Sequence, residues 1–147
     1  MKGMWLASLP VAAGLLTGCA TGPAINMELG SSTSCGGAVF DSAPPSRYKW
    51  EELKKDEYRL VISTSLVESG RAPMDPDSVR VSQKGNLLTV TIADRHLDEP
   101  QPPCLYRRAF TLVIDGLEAS TYHVIFVSAK RFFVSKHLFI DDPANVD

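Results

Sequence analysis

Between Glu57 and Glu68 the chain reads EYRLVISTSLVE, where Tyr58, Leu60, Ile62, Thr64 and Leu66 alternate with Arg59, Val61, Ser63, Ser65 and Val67. Period two sends these sets to opposite faces of an extended strand, and β-branched residues suit that pleated surface. Similar runs recur downstream. Val79–Gln83 and Leu87–Ala93 flank Lys84-Gly85-Asn86, whose Gly and Asn tolerate positive φ, so the two runs read as a β-hairpin. Glu99-Pro100-Gln101-Pro102-Pro103 cannot sustain a ladder and reads as a loop, after which Leu105–Ile114 is again strand-like. Tyr122–Ser128 and Phe132–Ile140 form a last hairpin around Ala129-Lys130-Arg131, with apolar residues on both faces of its strands. Only Ser46–Lys55 reads as helical, with Ser46 as cap and Trp50 and Leu53 on one side. Short strands separated by turns, with at most one short helix, predict an all-β antiparallel sandwich.

Composition sets the class of partner. The 147 residues, 44% hydrophobic and 22% charged, suit one globular domain, and 15 Lys plus Arg against 17 Asp plus Glu leave a net charge of −2. A surface that tracks phosphates needs a basic excess, so nucleic acid is not expected as a partner. The three cysteines are an odd number that needs explaining.

The start of the chain explains it. Lys2 precedes a largely apolar run from Met4 to Leu16, too short to span a bilayer and interrupted by Pro10 and Gly14, which reads as the core of a cleaved signal peptide. At its end Leu16-Thr17-Gly18-Cys19 resembles the lipobox of bacterial lipoproteins. That resemblance implies a diacylglycerol thioether on Cys19, cleavage after Gly18 and acylation (palmitate) of the new amino terminus. Several acyl chains make such an anchor effectively permanent, at about 0.8 kcal/mol per buried methylene. With Ala20 and not Asp at the second mature position, the resemblance favours the outer membrane, with the domain facing the periplasm.

With Cys19 given to lipid, Cys35 and Cys104 remain in an oxidising compartment, where a disulfide between them is expected. Free thiols or a metal pair are the alternatives, and the close Cys/His spacing of zinc sites is absent. Closing a loop of 69 residues would contribute roughly 4 kcal/mol in the chain-entropy model. The small and polar stretch Ala20–Ser34 has the composition of a flexible tether. The expected layout is a signal peptide at 1–18, a lipidated tether at 19–34, a sandwich domain at 35–142 and a tail at 143–147.

A second resemblance sharpens the fold. The segment from Asp115 to Val124, DGLEASTYHV, resembles the G-L-x-A-G-x-Y-x-V corner of immunoglobulin-like and fibronectin-like domains, matching at Leu117 and Tyr122 and differing at Ser120. It implies a tyrosine corner, in which the Tyr122 ring packs on the core while its hydroxyl bonds back to the preceding backbone. This corner is shared by many functions and speaks to fold alone.

Candidate chemistry is sparse. Asp94, His96 and Asp98 alternate and could gather on one side, although a solvated strand end is the plainer reading. His123 and His137, in the two strands of the last hairpin, could face each other as metal ligands or as cross-strand neighbours. Asp75, Asp77 and Glu68 could hold calcium, but Asp75-Pro76-Asp77-Ser78 reads more simply as a turn. No G-x-S-x-G, HExxH or Walker A segment occurs. No catalytic residue, cofactor or metal is therefore assigned, and the chain is not expected to be an enzyme. Tyr106, Arg107, Arg131, Phe132 and Phe133, where rings and cations crowd together, are the candidate interface residues.

The expected function is that of an outer-membrane-anchored periplasmic lipoprotein that binds or scaffolds proteins as an accessory subunit of an envelope assembly such as a secretion system. The alternatives are an inhibitor or soluble-ligand-binding lipoprotein resembling lysozyme inhibitors and, third, a metal-dependent enzyme using His96, His123 or His137.

Overall fold

The structure, a computed structural model, describes residues 22–33, 44–99, 104–128 and 136–146. Its strands are β1 (Ala24–Ser32), β2 (Arg47–Lys54), β3 (Glu57–Ser69), β4 (Arg80–Lys84), β5 (Leu87–Ile92), β6 (Leu105–Leu117), β7 (Tyr122–Ser128) and β8 (Lys136–Ile140), with two single-turn 3-10 segments at Pro76–Ser78 and Pro143–Asn145. They form two four-stranded sheets, ordered β1-β6-β3-β2 and β4-β5-β7-β8. The expected all-β sandwich is the fold.

Alternation builds the core. Along β3, Leu60, Ile62, Thr64 and Leu66 are buried, and Phe110, Leu112 and Ile114 of β6 join them from the same sheet. Leu88, Val90 and Ile92 of β5 and Tyr122, Val124 and Phe126 of β7 face them from the other. Rings bridge the layers: Phe110 meets Phe126 edge-on at 5.7 Å between centroids, and Trp50 meets Tyr122 at 5.9 Å.

Three expectations are corrected. Arg47–Lys54, expected as a helix, is a strand paired with β3 from Arg47↔Ser63 to Lys54↔Glu57. Tyr48 and Trp50, two residues apart, pack toward the core, while Leu53, which a helix would have placed beside Trp50, is 42% exposed. Cross-strand pairing along a long neighbour outweighs a weak local helical preference. Ala24–Ser32, expected within the tether, is instead an edge strand paired with β6. Its Ile25, Met27 and Leu29 point inward between outward-facing Asn26 and Glu28.

The third correction concerns direction. Five of the six strand pairings are antiparallel, but β5 and β7 pair in parallel, from Leu87↔His123 to Ile92↔Ser128. After β5 the chain crosses to β6 in the other sheet and returns as β7. It thus re-enters at the end where β5 began, and the two strands run the same way.

This path defines two ends. The near end, where β1 begins, holds the turns Lys55-Asp56 and Gly85-Asn86 and the corner from Leu117 to Tyr122. Gly85 has φ +59°, as the first position of a two-residue hairpin turn requires, and Asp56 adopts φ +62° beside a β-bulge. The far end holds residues 70–79, 93–99 and 104, together with Ser128 and Lys136.

Candidate functional site

The near-end corner has the expected geometry. Leu117 and Tyr122 are buried, and the Tyr122 hydroxyl donates to the Glu118 carbonyl at 2.9 Å. Burial pushes the Tyr122 phenol above its ordinary pKa. Trp50 Nε1 donates to the Asp141 carbonyl at 2.8 Å, and the Tyr48 hydroxyl donates to Asp141 Oδ2 at 3.2 Å, which ties edge strand β2 to the end of β8.

A polar cluster closes the far end. Glu68 continues the inward set of β3 and is only 1% exposed. One of its carboxylate oxygens accepts from Arg108 Nε at 2.8 Å and the other from the Met74 amide at 2.7 Å, which pins the 70–74 connection over the core. Arg108 also lies 5.5 Å from the centroid of the Tyr106 ring. Its bond to Glu68 holds the guanidinium pKa above the usual range, while burial and then the Glu68 charge raise that of Tyr106. Beside the cluster, Lys136 Nζ donates to the Ser65 carbonyl at 3.0 Å, and burial followed by the nearby Arg107 charge lowers its pKa.

The outer face of the second sheet carries the other grouping. His123 stands opposite Phe139 and Leu87, and His137 opposite Ile125, so the two histidines are diagonal neighbours on one face. His123 Nε2 and His137 Nδ1 are 3.0 Å apart. The Phe139 ring, 72% exposed, stacks on His123 at 4.5 Å with planes only 14° apart.

Tyr106 and Arg107 lie on opposite faces of β6, and Arg107 Nη1 donates to Ser65 Oγ at 3.3 Å. Arg131, Phe132 and Phe133 lie outside the described residues, as do Cys19, Cys35 and the whole signal segment. Cys104 is disulfide-bonded. His96 approaches Asp98 at 3.9 Å with both side chains in solvent, whereas Asp94 forms an isolated bridge with Met74 of the 70–79 connection, and the three do not gather. Asp75 caps the 3-10 turn by accepting from the Asp77 amide at 3.1 Å, and Glu68 faces the interior, away from any shared calcium site.

Two features were missed in the sequence. The Glu68–Arg108 pair was signalled by the parity of Glu68, which continues the Tyr58–Leu66 set into the core. Phe139 was signalled by its two-residue spacing from His137. The chain matches no protein-family model, no curated protein and no solved structure.

Proposed function

We propose that this chain is an outer-membrane-anchored periplasmic lipoprotein whose sandwich binds a protein partner as an accessory subunit of an envelope assembly. The observation that carries the reading is the spacing between the lipobox-like Leu16-Thr17-Gly18-Cys19 and the first residue of β1, Ala24. At about 3.3–3.6 Å per residue, those five steps reach no more than ~18 Å. A lipidated Cys19 therefore holds the near end against the membrane surface and turns the far end outward. The far end also holds two of the candidate interface residues, Tyr106 and Arg107, near the start of β6.

Cys104, which is disulfide-bonded and is the expected partner of Cys35, stands at the same end. Thr33 and Arg107 exchange two bonds of 3.0 Å, and they stand two and three residues from those cysteines. A bridge there supports the loops of a binding surface in a compartment that preserves disulfides.

The test combines fractionation with site-directed photo-cross-linking. Cys19→Ser should move the protein from the membrane to the soluble fraction. A cross-linker at Arg71 or His96 should give a discrete adduct of stoichiometric yield, and one at Lys55 should not. Unchanged membrane retention of Cys19→Ser would overturn the anchor. Adducts at Lys55 but at neither far-end position would overturn the orientation.

A further inference from the structure

We propose that His123 and His137 form a chelating site for a divalent transition metal of tetragonal preference, copper(II) above all, on the outer face of the second sheet. The facing nitrogens are 3.0 Å apart. With metal–nitrogen bonds of about 2.0–2.1 Å, that separation subtends about 94° at a shared ion. An angle near 90° is the angle between neighbouring positions of square-planar or tetragonal copper(II) and nickel(II).

The pair is prepared for this role. Both rings project from paired strands on one face, so the backbone ladder fixes their separation. Phe139 stacks flat on His123 and limits the rotation of its ring. In the metal-free pair a single proton joins the two nitrogens, which one ring donates and the other accepts. Metal binding needs both lone pairs. The donor ring becomes its other tautomer, with the proton on its remaining nitrogen, and the ion takes the place of the shared proton. Among the described residues no third His, Cys, Asp or Glu joins the pair, so the other positions of the ion are left to water or to a group from a partner. The site stands independently of the lipid anchor.

The experiment is a copper(II) titration of the full chain, purified in detergent without a histidine tag and followed by calorimetry and electron paramagnetic resonance. One equivalent should bind and show hyperfine coupling to two imidazole nitrogens. His123→Asn or His137→Asn should lower the affinity roughly 100-fold, the loss expected when a two-point attachment becomes a single one. His96→Asn should leave binding unchanged. Phe139→Ala should weaken binding about tenfold, as loss of an orienting neighbour does, and Phe139→Tyr should restore it. Circular dichroism checks that each variant folds. Absence of stoichiometric binding, or binding that survives both His123→Asn and His137→Asn, would overturn the proposal.

Discussion

The two ends of the sandwich are closed by different physics. At the near end the connections are short, and closure is local: a buried tyrosine bonds four residues back to Glu118, and Trp50 and Tyr48 fasten the neighbouring edges to Asp141. At the far end the connections are long. There a carboxylate placed inside the core holds both a guanidinium from β6 and the backbone of the 70–74 segment, with a disulfide at Cys104 beside them. Short turns need little beyond the right residue at a positive φ, whereas a long crossing leaves backbone groups that a buried acceptor must satisfy. The one buried charged side chain among the described residues, Glu68, therefore stands where the loops are longest.

The largest effect that can break this contrast is at Glu68. Glu68→Ala strands a partly buried guanidinium and the Met74 amide together and should cost about 3 kcal/mol in chemical denaturation. Glu68→Gln, which keeps an acceptor for Met74, should cost less. A loss under ~1 kcal/mol for Glu68→Ala would mean that the far end does not depend on the pair. Tyr122→Phe at the near end removes one hydrogen bond while keeping the ring, and a loss of about 1 kcal/mol is expected from the same measurement. If it matched or exceeded Glu68→Ala, the contrast between the ends would fail.

Asp56→Gly sharpens the near-end half of the comparison. The residue sits at φ +62°, and a side chain there costs energy that glycine avoids, so a gain of about 0.5–1 kcal/mol is expected. The smallest effect is a pH slope at the Arg59–Asp115 pair, whose bonds of 2.7 and 2.9 Å span β3 and β6 near the same end. Bonding to Arg59 lowers the Asp115 pKa below its unfolded value. Its contribution is therefore fully present above about pH 4 and is lost as the pH falls through the lowered folded value. Asp115→Asn should flatten this part of the stability profile, measured by denaturation at stepped acid pH.

Much of the fold was legible because its signals are local. The period-two pattern of Glu57–Glu68 and the turn at Gly85-Asn86 depend on neighbours in sequence, and so does the Leu117–Tyr122 corner. The errors arose where distant partners decide. Arg47–Lys54 carries residues that suit a helix, yet it is drawn into the sheet by pairing with β3. Ala24–Ser32 looks like linker because Gly30, Ser31 and Ser32 dominate its end, although Ile25, Met27 and Leu29 already alternate. The parallel pairing of β5 with β7 depends on the route through the opposite sheet and leaves no local mark. Of the candidate sites, the proximity of His123 and His137 was readable from hairpin parity, whereas the stacking of Phe139 required the register.

The proposed orientation depends on β1 being part of the sandwich and not a leash. Amide hydrogen exchange across Ala24–Ser32 in the intact chain measures this directly. The strand is paired with β6 from Ala24↔Asp115 to Ser32↔Arg108, with a register shift between Leu29 and Ser32, so its bonded amides should exchange on the slow scale of β6 itself. Exchange throughout Ala24–Ser32 at the rate of an unfolded chain would contradict the proposed orientation, since a lipid on Cys19 would then be joined to the domain by a long free tether and neither end would be fixed toward the membrane.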